Sequence, residues 1–300
     1  MEQLTDRVAV VTGAGSGIGR ATSELLAERG CHLALVDVDE HGMAGTRRAI
    51  ERHGRRVSVH RADVSDAARM EALAAEVESQ HGACHVLVNN AGVTAAGTFA
   101  EERLEDLQWI VGINVWGVVH GCHFFLPLLR RAGEGHIVNL SSMVALLGLP
   151  GNGSYALTKG AVRSLSESLR GELVGSNIGV TTVFPGAIRT NIMSTARGAD
   201  AKKIATMAEG RLAPLMFRPP EHAARRIVRG IERNQTRVVI GPDAHLLSLL
   251  GRVAPGRTRL MGRLADLASP SEAPEPTPTP APGSGGQGSG RAVSPAHQNE

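Results

Sequence analysis

Lysine is nearly absent from this chain of 300 residues. Only Lys159, Lys202 and Lys203 occur, and every other permanently cationic side chain is arginine. Tyrosine is scarcer still, with Tyr155 alone. Aromatic residues total 3%, so a core has to be built from Val, Leu, Ile and Ala, and the 42% apolar content is enough for one. Cysteine is limited to Cys31, Cys84 and Cys122, an odd number, widely spaced and without a CxxC pair. That excludes a disulfide framework and fits reduced structural thiols. The net charge of +3 comes from dispersed arginines, which excludes the basic stripe of a nucleic-acid binder. No charged-then-apolar leader and no unbroken run of about 18 apolar residues occurs. The expectation is a soluble, cytoplasmic protein without membrane contact. Histidine is plentiful, but Gly82 separates His81 from His85, and His120 and His123 have no acid near them in sequence. No metal site is expected.

What is present is a regular alternation. Apolar runs at 7–12, 32–37, 56–60, 85–89, 135–140, 178–184 and 237–240 read as seven strands. Helical spacing fills the gaps at about 17–29, 40–53, 66–81, 102–131, 154–174 and 221–233. Strands that are apolar throughout, alternating with helices, predict a doubly wound α/β fold of Rossmann type, a seven-stranded parallel sheet covered on both faces. Ligand is then expected at the carboxyl ends of the strands. Residues 1–245 read as one dinucleotide-binding catalytic domain and 246–269 as a helical extension, with short helices at 244–252 and 257–268. Residues 270–300 are Pro, Thr, Gly, Ser and Ala and read as a disordered tail.

The first strand runs into Thr12-Gly13-Ala-Gly15-Ser16-Gly17-Ile18-Gly19. Glycine allows positive φ and close backbone approach, and the helix that follows presents free N–H groups to a pyrophosphate. Asp37 ends the second strand, 18 residues after Gly19. An acid there accepts hydrogen bonds from ribose hydroxyls and repels a 2′-phosphate. Neither Ser16 nor Val38 supplies a rescuing cation, so the reading favours NAD(H), with NADP(H) second. The alternative role for Asp37 is to cap the next helix, a task for which Asp39 is better placed.

The lone tyrosine and Lys159 stand at i and i+4, on one helix face. A free phenol titrates near ~10. A neighbouring ammonium favours phenolate and would bring Tyr155 into range as a general acid/base. Ser142, thirteen residues earlier, would hold a substrate oxygen by hydrogen bond; Ser141 is the competing candidate. Structural roles stay open for each: Tyr155 as a half-buried helix residue, Ser142 as a turn residue, Asn114 as a helix-face amide.

From about residue 5 to about 245 the chain resembles the short-chain dehydrogenase/reductase family. The resemblance rests on Thr12-Gly13-xxx-Gly17-Ile18-Gly19, Asp63-Val64, Asn89-Asn90-Ala91-Gly92, Asn114, Ser142, Tyr155-xxx-Lys159 and Pro185-Gly186 followed by Thr190. It implies a nicotinamide-dependent oxidoreductase. It implies that Asp63 and Val64 contact adenine, that Asn90 and Gly92 line the nucleotide groove, and that Pro185, Gly186, Ile188 and Thr190 belong to the cofactor site, the last two at the carboxamide. Lys159 would also reach the nicotinamide ribose, and Asn114 would kink its helix and hold a water linking Lys159 to solvent. The helices at 102–131 and 154–174 are family dimer elements and imply a homodimer or homotetramer.

Segments 93–98, 143–153 and 188–217 should wall the substrate site, the third as a long loop closing as a lid. Their Met, Leu and Ile content suggests a lipophilic secondary alcohol or ketone, unless those side chains pack on the domain instead. Arg189, Arg197, Lys202 and Lys203 either greet an anionic tail or are solvated. The region 244–268 could pack normally, meet another subunit or touch a membrane. Two other functions stay open: an NADPH-dependent 3-oxoacyl (acyl-carrier) reductase, against which Asp37 argues, and a non-enzymatic dinucleotide sensor or scaffold, which could dispense with the Tyr/Lys pair.

Overall fold

A computed structural model describes Met1, residues 3–209 and residues 217–253. The expected helix at 257–268 and the tail at 270–300 lie outside the described residues, as do Leu212, Leu215 and Met216.

Seven strands form one sheet: β1 (Val8–Thr12), β2 (His32–Asp37), β3 (Val57–Arg61), β4 (Val86–Asn89), β5 (Gly135–Leu140), β6 (Ile178–Pro185) and β7 (Arg237–Ile240). All neighbouring pairs are parallel, in the order β3-β2-β1-β4-β5-β6-β7. Side chains alternate between the two faces of a strand, and both faces here are covered. Ala9 and Val11 face α1 (Gly17–Glu28), α2 (Glu40–Glu51) and α8 (Pro220–Glu232), while Val10 faces the opposite layer. That layer holds α3 (Ala67–His81), α5 (Gly117–Arg131) and α6 (Gly153–Glu172). The central strands β1, β2 and β4 are therefore apolar almost throughout, as two-sided burial demands. The order reverses between β1 and β4, which opens a crevice at their carboxyl ends.

The 102–131 region is one continuous helix in three parts: α4 (Leu104–Val111), a π-helical turn (Gly112–Trp116) and α5. Asn114 sits in that turn, fully buried. By length and composition this 28-residue helix could cross a membrane, although no unbroken apolar run marks it in the sequence. It packs instead as a core helix, with Val118, Cys122, Phe125 and Leu129 against the sheet. The third wall segment differs from expectation: it contains α7 (Ala201–Glu209), so it is not all loop. The last described helix, α9 (Pro242–Val253), covers the short helix expected at 244–252.

Asn89 and Asn139 form a buried polar seam below the crevice. Asn89 Nδ2 donates to Asn139 Oδ1 at 2.8 Å, and Asn139 Nδ2 donates to Ser166 Oγ on α6 at 3.0 Å. Gly121 allows it, because a Cβ there would overlap Asn89 Oδ1. Asn139→Ala removes two buried hydrogen bonds and opens a void; it is expected to cost about 2 to 4 kcal/mol, read as a lower urea midpoint.

Candidate active site

The glycine turn between β1 and α1 is tight for steric reasons. Gly13 and Gly17 have φ of 66° and 52°, and a Cβ on Gly19 would overlap Gly13 O. Ser16 precedes α1 in extended backbone, makes no side-chain cap, and the first turn holds no acid. The first N–H groups of α1 are thus left to an anion, which fits a pyrophosphate. Thr12 Oγ1 accepts from the N–H groups of Asn90 and Ala91, both at 3.0 Å, and Asn90 Nδ2 donates to Thr12 O at 2.8 Å. The turn is bolted to the end of β4. Ile18 packs on the core beneath it.

Asp37 Oδ2 accepts from Gly15 N at 2.8 Å and its Oδ1 from Asp39 N at 3.0 Å. Asp39, not Asp37, caps α2, accepting from Gly42 N at 2.9 Å. Val38 is exposed. Sequence reasoning missed Arg20. Its Nη2 donates to Gly15 O at 2.5 Å and Gly42 O at 3.1 Å, and its Nε to Thr46 Oγ1 at 3.1 Å. Arg20 therefore staples α2 to the glycine turn, and its place one turn into α1 was the available signal. A groove of about 650 Å³ opens here, lined by Gly15, Ser16, Gly17, Arg20, Thr190 and Phe217 among others. Asp63 Oδ1 is engaged by the N–H and hydroxyl of Ser65. Val64 is buried against Gly117, with its carbonyl 2.9 Å from His120 Nδ1.

Tyr155 and Lys159 share a face of α6, with Lys159 Nζ 5.8 Å from the Tyr155 ring centre. Lys159 is buried and donates to Leu140 O, at the end of β5, at 3.0 Å. Burial lowers its pKa to about 8. Burial also raises the Tyr155 hydroxyl above the ordinary phenol range, and a hydrogen bond with Ser142 works in the opposite direction. The direction is opposite to that expected from the sequence, because burial outweighs the groups that favour phenolate. Ser142 is buried at the start of a short 3₁₀ turn, Met143–Ala145, and its Oγ accepts from Val144 N at 3.4 Å. Ser141 turns away, donating to Lys159 O at 2.8 Å.

Asn114 Oδ1 accepts from Val93 N at 2.9 Å, and its Nδ2 donates to Val93 O at 2.9 Å and Thr158 Oγ1 at 3.1 Å. Gly92 sits where this amide and the ammonium converge. A Cβ there would be 3.1 Å from Asn114 Oδ1 and 3.2 Å from Lys159 Nζ. Pro185 ends β6 and Gly186 follows it. Ile188 is buried, and the Thr190 methyl approaches Gly17, where a Cβ would be only 3.0 Å away. The structure thus brings the glycine turn, Asp37, the Tyr155 group and the 185–190 loop to one edge of the sheet.

Arg197 is not a free cation. Its guanidinium lies 4.0 Å from the Trp109 ring centre and 3.3 Å from Asp106 Oδ1 on α4. Its backbone pairs with the first wall segment, through Arg197 N to Thr94 O and Ala96 N to Arg197 O. Arg189, Lys202 and Lys203 are exposed. Among the described residues no cluster of His, Cys, Asp and Glu could hold a metal. His85 Nδ1 accepts from Val8 N, and His81 Nε2 lies 2.8 Å from Ser58 Oγ. Cys31, Cys84 and Cys122 are free and buried, and burial raises all three thiols.

A family model described as short chain dehydrogenase matches residues 7–201. A Mycobacterium tuberculosis protein assigned to the oxidoreductases, SadH, is 39% identical over 255 residues, which is 84% of this chain and 92% of that one. The 2-(R)-hydroxypropyl-CoM dehydrogenase of Xanthobacter autotrophicus is 37% identical over 188 residues, 61% of this chain and 75% of the relative. The crystal structure of a short-chain dehydrogenase/reductase from Burkholderia phymatum in complex with NAD superposes with a TM-score of 0.76 at 31% identity, covering 93% of this chain and all of that one.

The staple made by Arg20 gives a direct test of how the groove is held. Arg20→Met leaves the carbonyls of Gly15 and Gly42 without their charged donor. It is expected to lower stability by about 2 kcal/mol and to speed amide exchange across residues 13–17, with little change elsewhere.

Proposed function

This chain belongs to the short-chain dehydrogenase/reductase family, and from that premise we propose that it is an NAD-dependent oxidoreductase acting on a lipophilic secondary alcohol or ketone, with Tyr155 as the general acid/base. The observation that carries the reading is the grouping of Tyr155, Ser142, Lys159 and Asn114 at the carboxyl ends of β4 and β5. The glycine turn and the uncapped start of α1 stand at the same sheet edge.

Bound NAD(H) supplies or accepts the hydride. The protein's own part is to hold the substrate oxygen and move its proton. Ser142 lies close enough to the Tyr155 hydroxyl to favour its charged form, so both hydroxyls can converge on one oxygen. In reduction Tyr155 gives that oxygen its proton; in oxidation it takes the proton away. Lys159 sets a positive charge beside the ring, at a distance where it stabilises a developing phenolate. Asn114 fixes Val93 and Thr158 around the ammonium and fits as the next member of a proton path.

Asp37 supports NAD over NADP. Its carboxylate is fixed by two backbone N–H groups at the end of β2, with exposed Val38 and uncharged Ser16 beside it. Arg20, the cation that lines this groove, is already committed to Gly15, Gly42 and Thr46. For the substrate, buried Val144, Leu147 and Ile188 on the wall segments support a lipophilic class. Exposed Leu104, Trp116 and Leu157, on the helices named as dimer elements, support a homo-oligomer. A cytoplasmic location is part of the same reading.

The decisive experiment is an absorbance assay of hydrophobic alcohols and ketones with NAD(H) and NADP(H). Turnover is expected with NAD(H), and Tyr155→Phe should lower it by roughly a thousandfold while leaving NADH binding within about threefold of wild type. Unchanged turnover in Tyr155→Phe refutes the mechanism. The pH profile offers an independent check. In the reduction direction Tyr155, raised by burial, stays protonated at neutral pH, so the rate should fall as Lys159 loses its charge above about 8. Lys159→Arg cannot deprotonate there. It should be slower overall but lack that limb; retention of the limb would remove Lys159 from the account.

A further inference from the structure

The loop after β6 is held by four hydrogen bonds. Gly186 N donates to Ile240 O at 2.8 Å, Arg218 N to Ala187 O at 3.0 Å, and Arg189 N to Arg218 O at 2.8 Å. The fourth is the only one of the set made by a side chain: Ala187 N donates to Asp243 Oδ2 at 2.7 Å. Asp243 lies in the first turn of α9, beyond the 7–201 span that the family model matches.

Two glycines make room for this carboxylate. A Cβ on Gly186 would overlap all three of its terminal atoms, and a Cβ on Gly241 would overlap Oδ1. Gly241 also has φ of 100°, which brings the chain back from β7 so that α9 begins over the loop. The far end of α9 is equally close to the second wall segment, since Gly251 has no room for a Cβ beside Leu146 O. One helix thus touches the 185–190 loop at its start and the 143–153 segment at its end.

We propose that Asp243 is a positioning residue for the nicotinamide end of the cofactor site. It fixes Ala187, and through it the backbone that carries Ile188 and Thr190, and so couples α9 to the reacting centre. A carboxylate accepting from a backbone N–H forms a strong, charge-assisted bond, and a loop whose amides are pre-set loses less freedom on binding. The inference rests on the reading that NAD(H) occupies this edge of the sheet.

The test compares full-length wild type, Asp243→Ala and Asp243→Asn by NADH fluorescence titration and by amide exchange at Ala187 in the protein without nucleotide. Asn keeps an acceptor oxygen for Ala187 N, and Ala does not. The expected result is NADH binding weakened roughly tenfold in Asp243→Ala, with faster exchange at Ala187, and both restored to near wild type in Asp243→Asn. Binding unchanged in a folded Asp243→Ala overturns the proposal, as does Asp243→Asn behaving like Ala. If Asp243→Ala does not fold, Asp243→Glu decides against Asn. The longer acid meets the two glycine backbones, so it should weaken binding at least about fivefold where Asn does not; equal binding by Glu, Asn and wild type overturns the proposal. Failure of wild type itself to bind NADH would strike the functional reading instead, and leave the Ala187 exchange result to judge the anchor.

Discussion

The joint between the ends of β1 and β4 governs the rest of this site. Two central strands part there, and Thr12 and Asn90 close the gap with reciprocal bonds: Thr12 Oγ1 takes two N–H groups from the β4 side, and the Asn90 amide gives its hydrogens back to Thr12 O and Gly13 O. Thr12 itself is buried, so its bonds matter more for the penalty of losing them than for their net gain. The joint fixes where the glycine turn begins. It also fixes where Gly92 and Val93 leave β4, and hence where Asn114 finds its two partners on Val93. The glycine turn and the Asn114 contacts are positioned by the same few hydrogen bonds.

Lys159 is the most expensive member of the arrangement. It is almost wholly buried, and among the described residues its side chain has one hydrogen-bond acceptor, Leu140 O. Burial takes it from the ordinary lysine range to about 8, a bias of roughly 3 kcal/mol against the charged form. Arginine could not substitute without cost. Its larger planar fork needs more acceptors, and Gly92 already approaches the ammonium closely. Size is one reason a lysine suits this place in a chain that otherwise uses arginine almost everywhere. The phenol one helical turn earlier is also raised by burial, so both groups favour their neutral forms.

The sheet was legible because two-sided burial writes itself as apolar runs, and the seven strands fall within a residue or so of where those runs lie. The glycine turn and the Tyr155–Lys159 pair were legible for a related reason, since their geometry is local in sequence. Contacts between distant segments were not. Nothing about Arg20 in isolation announces that its fork reaches Gly42 and Thr46, and Asp243 looks like an ordinary first-turn acid until Gly186 and Gly241 are seen around it. The direction of the Tyr155 shift was not legible, because spacing places Lys159 on the right face but says nothing of the burial that raises the phenol. The helix inside the third wall segment was hidden by its length of nine residues.

Substrate selection must then depend on how three wall segments are tied together, since none is part of the sheet. Gly97 is the knot. Its N–H donates to Gly151 O in the second segment, and it lies against Ala199 in the third. Gly198, with φ of 101°, lets the third segment fold over Ala96 O. Arg197 anchors the same strand pairing to Trp109 and Asp106 on α4. The part of the third segment next to residues 94–97 is therefore a fixed wall. Further along, Ile188 pairs with Arg218, so the loop that carries Ile188 and Thr190 is held both by that bridge and by the Asp243 carboxylate at Ala187 N.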